Sequence, residues 1–239
     1  MNSIEKQPQK KVKKHNHFLF DFMKVTGILP ALLIFRPKYH FLGKTQSNKV
    51  KGRVLIVANH SGFFDPLVLL LAFWRRRMRF WATREFFEKK PTSFFFKYCF
   101  DTIPVDKENF RMETVRDTVA YLQNGEIVAI FPEGRVNVEN HDELQPFKRG
   151  AAMMALKGDA PILPTYIHPR PHKYGRQIIL FDDPITLNEI LGREATFRDL
   201  KDVSAFLQKK EQELMARYHE LYDENGKPRK NKKKEQPQA

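Results

Sequence analysis

Val54-Leu55-Ile56-Val57-Ala58-Asn59-His60-Ser61-Gly62-Phe63-Phe64-Asp65-Pro66 is the stretch that decides the fold. Its first five residues are apolar, mostly β-branched and short as a run, which reads as a buried strand ending at Asn59 and delivering His60 into a loop. Asp65-Pro66 then opens the apolar segment Leu67-Val68-Leu69-Leu70-Leu71-Ala72-Phe73-Trp74, which reads as a helix. Aspartate can cap free N–H groups there, and proline tolerates the first helical position. An Asp-Pro cap accounts for Asp65 with no chemistry at all. The same placement also suits a base and its orienter. Asp65 would fix the imidazole tautomer, leaving the other ring nitrogen of His60 to accept a proton from a hydroxyl.

Outward from this stretch, strand and helix signals alternate. Met78-Arg79-Phe80-Trp81-Ala82 reads as a second strand, and residues 85–100 as an aromatic helical region broken at Pro91. Val115, Val119 and Leu122 repeat at helical spacing over 110–123, with Asn124-Gly125 as the stop. Ile127-Val128-Ala129-Ile130-Phe131 reads as a buried strand running into Glu133-Gly134-Arg135. A small-residue helix over 150–157, strands over 161–167 and 177–181, and a long amphipathic helix from Phe197 complete the pattern. Such alternation predicts an α/β fold with a largely parallel central sheet flanked by helices. Ligand sites gather at the carboxyl ends of strands in such sheets, so His60 and Glu133 are expected to meet there.

Four blocks carry a family resemblance. Asn59-His60-Ser61-Gly62-Phe63-Phe64-Asp65-Pro66 resembles the H-x4-D block of the glycerolipid acyltransferases. Thr102-Ile103-Pro104-Val105-Asp106-Lys107 resembles their second block, Phe131-Pro132-Glu133-Gly134-Arg135 the third, and Pro161-Ile162-Leu163-Pro164-Thr165-Tyr166-Ile167 the fourth. Phe147-Lys148-Arg149-Gly150-Ala151 resembles the segment between the last two. The family pattern has glycine where this chain has Asp101, arginine where it has Lys107, and a threonine between Gly134 and Arg135 that is missing here. Lysine keeps the charge of arginine but not its planar fork.

The resemblance implies an acyltransferase that moves a fatty acyl group from an acyl thioester, carried by coenzyme A or acyl carrier protein, to 1-acylglycerol-3-phosphate, giving phosphatidic acid. His60 and Asp65 are then the catalytic residues. Lys107, Glu133, Gly134, Arg135, Lys148 and Arg149 are the substrate-binding candidates, with Glu133 touching the acceptor or holding Arg135. The thioester is already activated, so no enzyme nucleophile is required. Other readings are a different acceptor such as glycerol 3-phosphate or another lysolipid, an acyl thioesterase, or a non-catalytic basic membrane-binding protein. No cofactor is expected beyond the co-substrate. No metal is expected either: His168-Pro169-Arg170-Pro171-His172 offers two histidines without cysteine or carboxylate company.

The net charge of +14 is concentrated at the ends, with +4 in residues 1–17 and +5 in 227–239. These tails suit an anionic membrane surface, where each Lys or Arg contributes about 1 kcal/mol. Without a zinc finger, RNP-like or helix-turn-helix signature, they give no specific nucleic-acid partner; a solubilising tail is the plainer reading. Arg75-Arg76-Arg77-Met78-Arg79 could equally attract acyl carrier protein, coenzyme A phosphates or anionic lipid, or simply end a helix. Cys99 stands alone, which precludes an intrachain disulfide.

Residues 18–35 hold eleven Phe, Leu, Ile or Val, favouring insertion by about 5 kcal/mol in total. Asp21 and Lys24 oppose it by up to about 3 kcal/mol each, and Gly27 and Pro30 interrupt the helix. The expectation is a broken pair of interfacial helices, against a plain packing role on the domain. Three regions follow: 1–45, a basic tail and membrane-associating helical segment; 46–226, the acyltransferase domain; 227–239, a basic disordered tail. Localisation is expected at the cytoplasmic face of a membrane, monotopic or peripheral.

Overall fold

Strand β2 (Val54–Ala58) is buried at all five positions and sits mid-sheet. Its side chains divide by parity. Val54, Ile56 and Ala58 enter one apolar cluster with α1 (Phe18–Phe35) and α2 (Asp65–Ala72). Leu55 and Val57 enter another, with α4 (Met112–Gln123), α5 (Gly150–Gly158) and α7 (Leu200–Leu221). Strand β5 (Ile127–Ile130) divides the same way. A strand with period-two geometry and apolar residues at every position must be covered on both faces, and the result is a three-layer α/β/α arrangement. Each Val, Leu or Ile fully buried this way contributes about 1.5–3 kcal/mol.

The computed structural model describes residues 18–43, 50–106, 111–137, 143–169, 176–223 and 226–229. Its seven-stranded sheet has the order β1-β7-β6-β2-β5-β3-β4, with β1 (Lys38–Phe41), β3 (Met78–Thr83), β4 (Ile103–Val105), β6 (Ile162–His168) and β7 (Ile178–Phe181). Strands β6, β2, β5, β3 and β4 are mutually parallel. Strand β7 is antiparallel to β6, and β1 parallel to β7. Helices α3 (Lys90–Phe94) and α6 (Leu187–Leu191) are short.

Strand β1 has no counterpart in the sequence reading. Its four half-buried residues at a sheet edge lack a distinguishing apolar pattern, and they draw the sheet into the region before residue 46. At the other end, Arg229 donates to the carbonyls of Leu221 and Tyr222, so 227–229 fold back on α7. Residues 1–17 and 230–239 lie outside the described residues.

Helix α1 is one continuous helix rather than a broken pair, with Pro30 inside it. Burial of Phe20, Ala31 and Phe35 against the domain offsets an interior proline's cost of about 3 kcal/mol. By length and composition it could cross a membrane. One side of it packs on the domain, and its two charged residues are engaged there: Lys24 Nζ donates to the Arg76 carbonyl at 2.9 Å, and Asp21 pairs with Arg77 at 3.3 Å. Phe18, Phe22, Val25, Leu29 and Leu33 remain exposed.

Candidate active site

Parallel pairing of β2 with β5, with Val57 opposite Ile130, brings the two strand exits side by side. His60 leaves one and Glu133 the other, and they bond: the His60 N–H donates to Glu133 Oε1 at 3.0 Å. The expected meeting at the strand carboxyl ends is what the backbone register produces.

The loop 60–65 is wound around one carboxylate. Asp65 Oδ2 accepts from His60 Nδ1 at 2.9 Å, from the Ser61 N–H at 2.7 Å and from the Gly62 N–H at 2.8 Å. Asp65 is therefore not the cap of α2; that position is Phe64, with no side-chain cap. The carboxylate turns back into the loop because three donors await it there. An ionised carboxylate only accepts, so Nδ1 is the donor in this bond, and in the neutral imidazole the lone pair is then on Nε2. Asp65 is 4% exposed and His60 18%, which leaves the imidazole reachable and its partner dry.

Three residues that sequence reasoning missed fix this geometry. The Phe131 ring stacks on the His60 ring at 4.3 Å and 19°. Asn59 bridges to β6, donating to the Ile167 carbonyl at 3.0 Å and accepting the Ile167 N–H at 2.7 Å. Gln145 donates its N–H to Glu133 Oε2 at 3.3 Å and accepts from Arg135 at 2.7 Å. Asn59 carried a signal, being a polar residue directly after a fully apolar strand. Phe131 was visible only as the start of the third block and Gln145 carried no signal, since their roles depend on contacts between separate loops.

Glu133 turns inward, to the His60 and Gln145 amides, rather than toward Arg135. Burial raises its pKa, and those two hydrogen bonds act in the other direction. Gly134 sits at φ +72°, where any side chain is strained, and a Cβ there would meet Lys148 Nζ at 3.0 Å. Lys148 also donates its N–H to the Pro132 carbonyl at 3.0 Å. Arg135, Lys148 and Arg149 are all exposed. Arg135 and Lys148 flank the turn beside His60, whereas Arg149 opens α5 with no contact to the turn among those described. Lys107 lies outside the described residues.

The arginine cluster after α2 has mainly internal partners. Arg76 donates to the carbonyls of Val50, Gly52 and Gly125. Arg79 is buried between Asp101 and Glu126 and lies over the Tyr121 ring. Arg75 lies over the Trp74 ring. Among the described residues, no group of three or more His, Cys, Asp or Glu is arranged to hold a metal ion. His168 stacks on Tyr218 at 3.7 Å.

A buried carboxylate bonded to a reachable imidazole at the mouth of a parallel sheet is an arrangement able to pass a proton. The family model described as Acyltransferase matches residues 37–168, more than half of the chain, and the chain belongs to that family. It is 33% identical over 111 residues to the 1-acyl-sn-glycerol-3-phosphate acyltransferase of Bacillus subtilis, covering 46% of this chain and 53% of that one. A probable enzyme of the same name from Mycoplasma genitalium is 32% identical over 123 residues, covering 49% and 44%. The chain spans about half the length of these curated relatives. The crystal structure of the LPA acyltransferase PlsC from Thermotoga maritima shares the fold, with a TM-score of 0.59, 16% identity, and coverage of 87% of this chain and 81% of that one.

Proposed function

We propose that this chain is a membrane-associated acyltransferase that moves a fatty acyl group from an acyl thioester to the free hydroxyl of 1-acylglycerol-3-phosphate, forming phosphatidic acid. The observation that carries the reading is the His60–Asp65 pair, bonded through Nδ1, with the His60 N–H held by Glu133 in the turn that also carries Arg135 and is approached by Lys148. The names of the curated relatives supply the acceptor.

In the reaction, the acceptor hydroxyl oxygen attacks the thioester carbonyl carbon while His60 Nε2 takes the hydroxyl proton. The tetrahedral adduct collapses, the C–S bond breaks, and the departing sulfur takes the proton back from the imidazolium. A positioned base of this kind contributes about 100- to 10,000-fold. Asp65 holds the ring and balances the imidazolium charge. Arg135, whose fork matches phosphate, binds the acceptor headgroup with help from Lys107 and Lys148. Glu133 holds the His60 backbone.

The lipid acceptor reaches His60 along the exposed apolar row of α1. At the end of the same helix the buried Phe35 ring lies 5.3 Å from the ring of Phe64, and Phe63 and Phe64 in the catalytic loop are exposed. In this reading α1 lies in the membrane interface, and the ties of Asp21 and Lys24 to the domain support that placement. In the same reading the enzyme works at the cytoplasmic face of a membrane, on thioesters of coenzyme A or acyl carrier protein.

The test incubates purified protein with labelled acyl-coenzyme A, acyl-carrier-protein thioester and a panel of lysolipids in anionic vesicles. Labelled phosphatidic acid formed from 1-acylglycerol-3-phosphate is expected. Free fatty acid released without any acceptor would identify a thioesterase, and intact thioester with every lysolipid a non-catalytic membrane-binding protein.

A further inference from the structure

One buried carboxyl has no part in the chemistry above. Glu211, on the inner face of α7, is 0% exposed, and neither of its oxygens completes a hydrogen bond. It lies close enough to Glu133 to act on it electrostatically, with the Asn59 amide facing it from the exit of β2. Both neighbours lead to the catalytic loop, Asn59 by preceding His60 in the chain and Glu133 by holding the His60 N–H.

An unpaired carboxylate in such a place is strongly disfavoured, and neighbouring groups decide whether it is tolerated. Helix α7 packs on β6, β7 and α5. From β6 come Tyr166 and His168, which contact Tyr218 two turns further along α7. From the turn after β5 comes Glu133, already holding the amides of His60 and Gln145. Lys210, next in the chain, pairs with Asp182 and Glu213. Among the described residues no cation pairs with Glu211, and the one charge acting on it is another carboxylate.

We propose that Glu211 is a positioning residue for the His60 loop, a neutral carboxylic acid whose lack of charge leaves Glu133 the single anion gripping the His60 amide. Burial and the proximity of Glu133 both raise its pKa well above the ordinary value, in agreement with that state. Loss of its proton at alkaline pH puts a second negative charge behind Glu133, loosens the loop and lowers turnover. The proposal rests on the acyltransferase reading for its effect on turnover, but not for the state of the proton.

The experiment compares the full-length wild type with Glu211→Gln and Glu211→Leu, both permanently neutral. Infrared spectra at neutral pH should show a protonated carboxyl C=O band in the wild type that is missing from both variants. On raising the pH, that band should vanish in step with a fall in kcat, and both variants should keep their neutral-pH kcat through the same range. A band that persists in the variants, or variants that show the same alkaline fall as the wild type, would overturn the proposal. The infrared arm needs no substrate: a wild type inactive on every lysolipid would contradict the functional reading, while the band would still decide the state of Glu211.

Discussion

The ring of Phe131 lies against that of His60, 4.3 Å away and 19° from parallel, so the residue ending one strand forms a wall for the imidazole leaving the next. The ring is held at its edge by Asp65 and on one face by Phe131. Among the contacts described, removing the wall leaves the Asp65 hydrogen bond to hold the ring's orientation. Phe131→Ala should lower kcat about tenfold with little change in KM, since a misaligned base costs rate rather than affinity. Steady-state kinetics with vesicle-borne acceptor check this; a KM rise with unchanged kcat would place Phe131 in substrate binding instead.

Arg135 faces outward with one guanidinium nitrogen on Gln145, and its remaining donors are available to a phosphate. A charge-assisted hydrogen bond contributes about 1.5–3 kcal/mol. Arg135→Ala should therefore raise KM for phosphate-bearing acceptors about 10- to 100-fold and leave acceptors without a phosphate nearly unaffected. Equal weakening across a lysolipid panel would refute the headgroup role.

Glu133 makes stability and activity respond to pH in opposite senses. Burial raises its pKa above the ordinary value of 4.5. Its contribution to stability is thus full below that ordinary value and is lost as pH rises through the raised one. Activity needs the anion, the form that accepts both amides, and so is lost as pH falls through the same window. Glu133→Gln should flatten the stability profile there, measured as the difference in unfolding free energy between wild type and variant. In the same variant the acid limb of kcat/KM should shrink. Parallel rather than opposed trends would contradict this.

Asp101 occupies a left-handed backbone conformation, φ +51°, and its carboxylate closes on the buried guanidinium of Arg79. The family pattern has glycine at this position, and aspartate is among the few residues that tolerate such a φ. Asp101→Asn keeps that tolerance and removes the charge, leaving Arg79 with Glu126 alone. A loss of about 3 kcal/mol is expected, a drop of about 6–12 °C in Tm for a chain of this size. A shift below 2 °C would show that Glu126 suffices.

The central sheet and the His60–Glu133 meeting were legible because they follow from short-range signals: apolar runs of strand length and the parallel alternation they imply. The antiparallel β7 and edge strand β1 were not legible in orientation, since both depend on partners far along the chain. The continuity of α1 was hidden for a similar reason. Gly27 and Pro30 argue against a continuous helix in isolation, and packing of Phe20, Ala31 and Phe35 on the domain reverses that balance. In the site, motif spacing gave His60 and Asp65. It did not reveal that Glu133 faces inward, nor that Glu211, some eighty residues away, lies behind it.

The central claim is that the Nε2 atom of His60 takes the acceptor's proton. His60→Ala, assayed with labelled acyl thioester and vesicle-borne 1-acylglycerol-3-phosphate alongside a thermal melt, tests it most directly. The predicted result is a loss of transfer by about 100- to 10,000-fold with the melting temperature unchanged. Transfer at the wild-type rate by the folded variant would contradict the account.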